Sequence, residues 1–300
     1  MGNLSISNLH LIPMRWPPYK HVFFDCDSTL TTVEGIDILA ETVGKKWRVG
    51  VLTNAAMDGK RDLEDVYAKR LQAIRPTHAQ IQEIRRVYKR NIVEDAKETI
   101  AALQYLGHHV YIISGGLAEP VEEFGLYLGV PREHIRAVNV AYDRLSGRWW
   151  EKSEAAHKYL DYEEGALTVS NGKAQIVKTL LGKQNGRALL IGDGRSDLLA
   201  GTAVDLFIGF GGVVERSHVR KNAPVFLHSH SLAPLLALAA GPAVGSRLQN
   251  NLHQEAFNKG NHLIQTGALT FNNEQLKTKF ERAVTAAHQT VHPRPNESTT

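Results

Sequence analysis

The amino-acid sequence predicts an α/β fold in which helices cover a parallel sheet and a helical cap is inserted between two strands. Three almost purely apolar runs, 21–24, 110–113 and 189–191, each end abruptly at acids, hydroxyls or glycines. Parallel strands that are buried on both faces have this composition, and their carboxyl ends carry the functional groups of such sheets. Stretches with apolar residues at helical spacing separate the runs, which indicates alternating strands and helices. The composition changes after residue 241, which predicts a C-terminal extension.

The composition excludes several classes of protein. With 300 residues, 43% of them apolar, the chain can bury a substantial core, and its formal charge of +4 is modest. The sequence has no basic stripe with interleaved aromatic residues, so we expect no nucleic-acid partner. No run approaches the roughly 20 apolar residues of a membrane span, so we expect no membrane partner.

The N-terminal segment and the cysteine content bear on the compartment. Residues 1–20 are interrupted by Pro13, Pro17 and Pro18 and are predicted to form a loose leader. They lack the long apolar block of a secretory signal. The single cysteine, Cys26, excludes an internal disulfide and is typical of a reducing compartment. We therefore expect a cytoplasmic protein.

Two acids, Asp25 and Asp27, follow the first strand and would repel each other unless a cation lay between them. Mg²⁺ is the natural candidate because it prefers carboxylate and carbonyl oxygens. Alternatively, Asp25 and Ser28 cap the next helix, and this stretch alone does not decide between the two interpretations. Alternation along the strand points Cys26 away from both acids, which favours a buried packing role for the thiol.

The region 35–90 is predicted to be a helical cap over the carboxyl end of the sheet. Its apolar residues recur at helical spacing, with breaks at Gly44 and Pro76. Arg70 lies close to one apolar stripe. Its stem could pack while its head reaches solvent, or its guanidinium could bind a carboxylate through two hydrogen bonds. The residues by themselves leave both possibilities open.

A helix at 96–106 precedes the second strand, which runs into Ser114, Gly115 and Gly116 and then a further helix. A turn of this kind presents a hydroxyl and backbone N–H groups to an anion. An ordinary helix cap by the serine explains the pattern equally well. Residues 137–150 are predicted to form a hairpin that turns at 145–148.

Lys173 begins the next predicted helix, where its charge opposes the helix dipole unless a negative charge lies nearby. A phosphate group would provide that charge, whereas a solvent-exposed lysine is the simpler alternative. Asp193 ends the third strand and would meet the cation from a second strand. Asp197 is placed to pair with Lys173.

The remaining chain predicts a strand at 205–210, a final edge strand at 224–227 and a helix at 232–238. We divide the chain into a core of residues 20–34 and 91–238, a cap of residues 35–90 and an extension of residues 239–300. The sequence of the extension indicates no particular role, although an oligomer could form through it.

Four motifs occur in a fixed order: Asp25-x-Asp27, Ser114-Gly115, Lys173 and Gly192-Asp193-Gly194-x-x-Asp197. Their order and spacing resemble those of the haloacid dehalogenase-like phosphatases over residues 20–238, and the first motif resembles the phosphoserine phosphatase branch. The resemblance continues into the cap, where Glu34-Gly35-Ile36-Asp37, Met57 and Arg70-Leu71 match that branch. It implies a Rossmann-like three-layer core and a Mg²⁺-dependent phosphomonoester hydrolase.

The resemblance also implies a role for each residue of the motifs. Asp25 would attack phosphorus and form an aspartyl-phosphate, while Asp27 would act as general acid and then as general base. Ser114 and Lys173 would hold the phosphate oxygens. Asp25, Asp193 and the backbone carbonyl of Asp27 would hold Mg²⁺. Asp197 would orient Lys173.

A small phosphorylated amino acid or amine is the implied substrate, with O-phospho-L-serine first. Arg70 would bind its carboxylate and Glu34 its ammonium group. The implied substrate-binding set is Glu34, Met57, Arg70, Ser114, Gly115 and Lys173.

The match is incomplete at three places, namely the cap segment 57–62, the insertion 158–165 and the tail after 241. Alternative substrates are therefore phosphohomoserine, phosphoethanolamine or a similar amine-bearing phosphomonoester. A regulatory protein that binds phosphate without turnover, and a phosphotransferase or mutase, are further alternatives.

Overall fold

A computed structural model gives the architecture of the chain and describes residues 16–143 and 154–291. In these ranges a seven-stranded sheet lies at the centre of the molecule. Its strands are β1 (His21–Phe24), β2 (His109–Leu117), β3 (Ile135–Val138), β6 (Ala188–Gly192), β7 (Leu206–Phe210), β8 (Val225–Leu227) and β9 (Leu269–Phe271). The spatial order is β3-β2-β1-β6-β7-β8-β9, and neighbouring strands are parallel except that β9 is antiparallel to β8. Two more strands, β4 (Val140–Asp143) and β5 (Lys158–Tyr162), form a separate antiparallel pair.

Helices cover both faces of the sheet. They are α1 (Gly35–Thr42), α2 (Lys46–Met57), α3 (Leu63–Ile74), α4 (His78–Arg90), α5 (Ala96–Tyr105), α6 (Ala118–Tyr127), α7 (Lys173–Leu181), α8 (Arg195–Ala200), α9 (Ser217–Asn222), α10 (Pro234–Ala240), α11 (Asn251–Gln265) and α12 (Glu274–Val291). Within the described ranges, none of these helices is both long enough and apolar enough to cross a membrane.

Strand β1 shows how the three layers are built. Val22 and Phe24 face an apolar cluster that includes residues of α5, α6 and α10. Phe23 points to the opposite face and packs in a second cluster with residues of α7, α8 and α9. This alternation is the normal consequence of strand geometry. The predicted three-layer α/β fold is confirmed.

Helices α1 to α4 occupy the region predicted to be helical between the first two core strands. Thr77 accepts a hydrogen bond from the Gln80 amide and so caps α4. Gly44, with φ of 67°, follows α1 as predicted. Helix α2 has no recognisable apolar stripe because Trp47 and Val51 are 83% and 52% exposed. For that reason the sequence pattern did not single it out.

Two details around strands β2 and β4 differ from prediction. Residues 114–116 belong to β2, which continues to Leu117 with a register shift against β3 after Ile113. The turn of the predicted hairpin, at 145–148, lies outside the described residues. The partner of β4 is β5, which begins at Lys158 in the segment that the sequence analysis took for an insertion.

The prediction that residues 224–227 form an edge strand is wrong, because β9 pairs with β8 on its outer side. With three residues in a polar segment, β9 is too short for a periodic signal. The tail is thus built into the sheet, and Gly260 of α11 lies against the backbone of Ala233, just before α10. The division into core, cap and extension stays a prediction.

The last residues of the predicted leader are part of the core. Trp16 and Tyr19 are 3% and 0% exposed. The Trp16 indole donates to the carbonyl of Leu238 at 2.8 Å, and its ring lies 4.9 Å from that of Phe280. The expectation of a loose leader is therefore wrong from residue 16 onward.

Candidate active site

The carboxyl ends of three adjacent strands form the floor of the candidate site. Strands β2 and β6 lie on either side of β1, with Phe24 in register with Ile112 and Ile191. Because the three strands are parallel, the residues that follow this register meet at one edge. Asp25, Ser114 and Asp193 are therefore neighbours, and all three are at most 5% exposed.

Lys173 at the start of α7 holds two of the acids together. Its Nζ donates to Asp25 Oδ1 at 2.6 Å and to Asp197 Oδ1 at 2.7 Å. Burial lowers the pKa of Lys173, but Asp197 and Asp25 raise it more, so the ammonium group stays charged. Asp197 in turn accepts from the Gly194 amide at 3.1 Å and so closes the turn after β6. The pairing of Lys173 with a nearby acid accounts for its position at a helix start.

An acidic cluster lies beside this lysine. Oxygens of Asp25, Asp193 and Asp197 lie within 4.8 Å of one another, and all three residues are buried. Burial and the charge of Asp197 raise the pKa of Asp25 to about 7, against the opposing effect of Lys173. Burial also raises the pKa of Asp193 well above its ordinary value, although Arg216 partly offsets this. Such a cluster is incompletely compensated by protein groups alone.

The charges of the floor and its walls fit a divalent cation. The carboxylates that meet here are those of Asp25, Asp27, Glu34, Asp193 and Asp197, and the facing basic groups are those of Arg70, Lys173 and Arg216. In this set the five carboxylates outnumber the three basic groups by two when every group is ionised. Hard carboxylate oxygens at this spacing are the ligand type that Mg²⁺ prefers.

Asp27 lies at the boundary between the floor and the cap. It accepts a hydrogen bond from the Tyr88 hydroxyl on α4. Burial, followed by the charge of Glu34, raises the pKa of Asp27 well above its ordinary value. Glu34 is itself held by the Ser28 hydroxyl, which donates to Glu34 Oε1 at 2.8 Å. Ser28 adopts φ of 55°, so the backbone turns sharply just after the two acids.

The cap forms the opposite wall. Arg70 on α3 is 6% exposed, and its Nη1 donates to Thr53 Oγ1 at 3.3 Å. Its guanidinium carbon lies 5.3 Å from the centre of the Tyr67 ring, and the Tyr67 hydroxyl donates to the Gly115 carbonyl at 2.9 Å. Arg70 Nε has no hydrogen-bond partner, and its guanidinium forms no ion pair, within the described ranges. Glu34, Asp37 and Asp27 act on this guanidinium through their charges, but none of them is hydrogen-bonded to it, so Arg70 has donors left for an anionic ligand.

One cavity between floor and cap receives almost all the predicted site residues. Those that line it are Asp25, Asp27, Glu34, Met57, Arg70, Ser114, Gly115 and Lys173. Asp193 and Asp197 lie directly behind Asp25 and Lys173 in the acidic cluster. The structure thus brings together every residue singled out from the sequence, while the role of each stays a prediction.

Several residues of the site were not found from the sequence. Arg216, 5% exposed, donates from Nε to Asp193 Oδ2 at 3.1 Å. Tyr88 belongs to the apolar residues at helical spacing in the region 35–90, and that pattern does not reveal that its hydroxyl donates to Asp27. Thr53 lies on α2, which the pattern did not reveal. For Arg216 a signal existed in the glycine pair at 211–212, which follows β7 at the same edge of the sheet as the ends of β1 and β6.

Comparison with known proteins agrees with this geometry. The model of the haloacid dehalogenase-like hydrolases matches residues 22–201. Phosphoserine phosphatase of Mus musculus and that of Homo sapiens are each 33% identical over 208 residues, which is 69% of this chain and 88% of each relative. A solved phosphoserine phosphohydrolase-like protein from Francisella tularensis superposes with a TM-score of 0.61 at 26% identity, covering 70% of this chain and 95% of that protein.

The chain belongs to the haloacid dehalogenase-like hydrolases, as its four motifs predict. Within that family it is a phosphatase, a phosphoric monoester hydrolase similar to phosphoserine phosphatases. The predicted enzyme class is confirmed. This also argues against the alternative of a regulatory protein without turnover.

Proposed function

We propose that this enzyme is a Mg²⁺-dependent phosphatase that hydrolyses O-phospho-L-serine to serine and phosphate. The observation that carries the proposal is the buried guanidinium of Arg70, which faces the phosphate-binding floor across the cavity without an anionic partner in the described part of the chain. A substrate carboxylate would supply that partner. The names of the mouse and human relatives point to the same substrate.

In the proposed first step, Asp25 attacks phosphorus. A bond forms between a carboxylate oxygen of Asp25 and phosphorus, while the ester bond to the serine oxygen breaks. Asp27 gives its proton to the departing oxygen, and burial, which raises the pKa of Asp27, favours the protonated form that this step needs. Lys173 and Ser114 hold the phosphate oxygens.

In the second step, water attacks the phosphorus of the aspartyl-phosphate, and Asp27 takes a proton from that water. The bond between Asp25 and phosphorus breaks, so phosphate leaves and both carboxyl groups return to their starting states. Lys173 Nζ has three N–H donors and uses two of them for Asp25 and Asp197, so the third can bind a phosphate oxygen during the cycle. Its second contact, with Asp197, keeps the ammonium group in place meanwhile.

The residues present fit a bound Mg²⁺. We propose that Asp25, Asp193 and the backbone carbonyl of Asp27 would hold it, since the carboxylates meet in the buried acidic cluster. When bound, the ion would neutralise phosphate charge and align the phosphoryl group with Asp25. The core of residues 20–34 and 91–238 would then supply the chemistry, and the cap of residues 35–90 would add Arg70 and Met57 to the groups that recognise the substrate.

Recognition of the substrate would divide between two charges on the cap side of the cavity. Arg70 would bind the carboxylate of phosphoserine through two hydrogen bonds, and Glu34 would bind its ammonium group. Met57 and Gly115 line the cavity near these groups and would contact the remainder of the substrate.

The test compares Arg70→Ala with the wild type on phosphoserine and on phosphoethanolamine, which lacks the carboxylate. Removing the partner of a buried charge costs about 2–5 kcal/mol, so kcat/KM for phosphoserine should fall about 100-fold. For phosphoethanolamine it should change by no more than about 3-fold, because no contact is lost. Phosphate release measures both.

Lys69→Ala is the matched control, since Lys69 is the exposed neighbour of Arg70 on α3. This variant should leave kcat/KM unchanged for both substrates. Equal loss on both substrates by Arg70→Ala would contradict the assigned role of Arg70. If the wild type prefers phosphoethanolamine or phosphohomoserine, that ester is the substrate in place of phosphoserine, and the proposed mechanism is unaffected.

A further inference from the structure

The loop of residues 58–62, here called the cap loop, connects α2 and α3 and lies against the core. Asp62 Oδ1 accepts from Arg195 Nη1 at 2.9 Å, and Asp58 Oδ1 accepts from Arg216 Nη1 at 3.3 Å. Gly59, with φ of 73°, lets the loop approach so closely that a β-carbon there would lie 2.8 Å from Arg195 Cδ. The cap loop is thus held to the core by two ion pairs.

The two ion pairs differ in whether they connect to the acidic cluster. Arg216 continues inward, because its Nε donates to Asp193 Oδ2 at 3.1 Å while its Nη1 meets Asp58. The Arg216 side chain is 4% exposed and that of Asp58 is 34% exposed. The side chains of Arg195 and Asp62, in contrast, are 33% and 54% exposed, and the Arg195 guanidinium makes no hydrogen bond to an acid of the cluster in the described part of the chain.

The innermost residues of the site beneath this loop are shielded from solvent. Asp25, Ser114, Lys173 and Arg70 are each at most 6% exposed. Movement of the cap would widen access to them, and the cap loop is one of the segments that would then release its core partners. Leu63 at the end of the loop is also tied to the core, since its amide donates to Ser170 Oγ at 2.8 Å.

We infer that Asp58 is a positioning residue that couples closure of the cap loop to the placement of Asp193, acting through Arg216. With the loop closed, Asp58 fixes the outer end of the guanidinium, and Arg216 Nε then holds Asp193 Oδ2, which leaves Oδ1 free for a cation. With the loop open, Arg216 loses this restraint and Asp193 is held less well. The inference rests on the proposed role of Asp193 as a Mg²⁺ ligand.

The test uses three variants of the full chain: Asp58→Asn, Asp58→Glu and Asp62→Asn. Hydrogen exchange at the Leu63 amide, followed by mass spectrometry, measures release of the cap loop without substrate. Isothermal titration with Mg²⁺ alone measures the metal site, and phosphate release gives kcat and KM. Asp62→Asn is the matched control because it weakens the same loop through the pair that does not reach Asp193.

Both asparagine variants should speed exchange at Leu63. Asp58→Asn should weaken Mg²⁺ binding and lower kcat by about 3- to 10-fold, which is at or below the range for residues that support a metal ligand. Asp62→Asn should leave Mg²⁺ affinity within about 2-fold and act mainly on KM. Asp58→Glu should restore most of the Mg²⁺ affinity, because it keeps the charge.

Equal weakening of Mg²⁺ binding by Asp58→Asn and Asp62→Asn would overturn the inference, since both residues would then act only as loop anchors. Unchanged Mg²⁺ affinity in Asp58→Asn would overturn it as well. If the wild type binds Mg²⁺ but releases no phosphate from any ester, the proposed function is wrong. The Mg²⁺ titrations of the variants would still decide the role of Asp58. A wild type that binds no Mg²⁺ would remove the metal assignment and this inference together.

Discussion

The floor of the site and its cap wall differ in how their charged groups are held. On the floor, Lys173 contacts Asp25 and Asp197 at 2.6 and 2.7 Å, and Arg216 supports Asp193 at 3.1 Å. On the cap wall, Arg70 has one hydrogen bond of 3.3 Å to Thr53 and keeps a buried Nε without a partner in the described ranges. The cations of the floor are therefore partnered by acids of the protein, whereas the cation of the wall has unfilled hydrogen-bonding capacity.

This contrast separates chemistry from selection. A network of buried charges fixes its members, so the floor presents the same geometry to every phosphate ester. A wall whose cation lacks a protein partner gains most from the substrate that supplies one. Substitutions on the floor should therefore impair all substrates alike, and substitutions on the wall should change the ranking of substrates.

Replacing the attacking group should have the largest effect. Asp25→Asn keeps the shape of the side chain but removes the nucleophile, so kcat should fall about 10⁴-fold or more for every substrate. Lys173 retains Asp197, so the fold should survive, as circular dichroism and thermal melting can check. Phosphate release from several esters measures the loss. Retention of full activity toward any ester would contradict the role of Asp25.

Removing the negative charge from the wall should have a smaller, selective effect. Glu34→Gln keeps an acceptor for Ser28 but loses the charge opposite an ammonium group, so kcat/KM for phosphoserine should fall about 10- to 100-fold. The analogue without the amine, 3-phosphooxypropanoate, should lose far less. Steady-state kinetics on the two compounds measure this. An equal loss of kcat/KM on both compounds would mean that Glu34 acts with the floor and not in recognition of the ammonium group.

Binding of Mg²⁺ to the floor should be detectable as a change in the stability of the folded protein. Mg²⁺ at 100 times its dissociation constant stabilises the folded state by about 2.7 kcal/mol, so it should raise the melting temperature at neutral pH. Asp193→Asn should abolish that gain because a ligand is lost. Without Mg²⁺ the same variant should melt no lower than the wild type, since it removes an acid whose pKa burial raises. A Mg²⁺-dependent gain that survives in Asp193→Asn would contradict the metal site.

The residues of the floor could be predicted from the sequence because of the geometry of the sheet. Parallel strands bring distant segments to one edge, so an apolar run that ends in acids is informative at Asp25 and again at Asp193. Lys173 could be interpreted because its charge is unfavourable at a helix start. On the wall, Arg70 could not be assigned from its own pattern, and only the resemblance to a family favoured carboxylate binding.

Other parts of the structure left too weak a local signal. Strand β9 has three residues and forms only because β8 offers an unpaired edge. Arg216 lies after the glycine loop that follows β7, and its contact with Asp193 spans 23 positions in the chain. Trp16 is buried by elements from the far end of the chain, Leu238 and Phe280. Contacts between segments so far apart carry no periodicity that a sequence pattern could reveal.

The smallest predicted effect concerns Asp37, one turn after Glu34 on α1. Its Oδ1 is buried without a hydrogen-bond partner in the described ranges. Burial and the charge of Glu34 raise the pKa of Asp37 to about 6, although Arg70 acts in the opposite direction. The folded state therefore binds the proton more tightly than the unfolded state, and ionisation of Asp37 costs stability as the pH rises from about 4 to about 6. Asp37→Asn cannot ionise, so at neutral pH it should be more stable than the wild type by about 1 kcal/mol, after allowance for partial solvent screening.

Urea unfolding at pH 7 and at pH 4.5 measures this difference, which should shrink at the lower pH because folded Asp37 is then protonated. Asp37→Glu, which keeps the charge, should show no gain at neutral pH. A less stable Asp37→Asn would mean that the attraction between Asp37 and Arg70 outweighs the burial of the carboxylate. Arg70 would then have an effective partner within the protein, and the contrast between a paired floor and an unpaired wall would fail at its main residue.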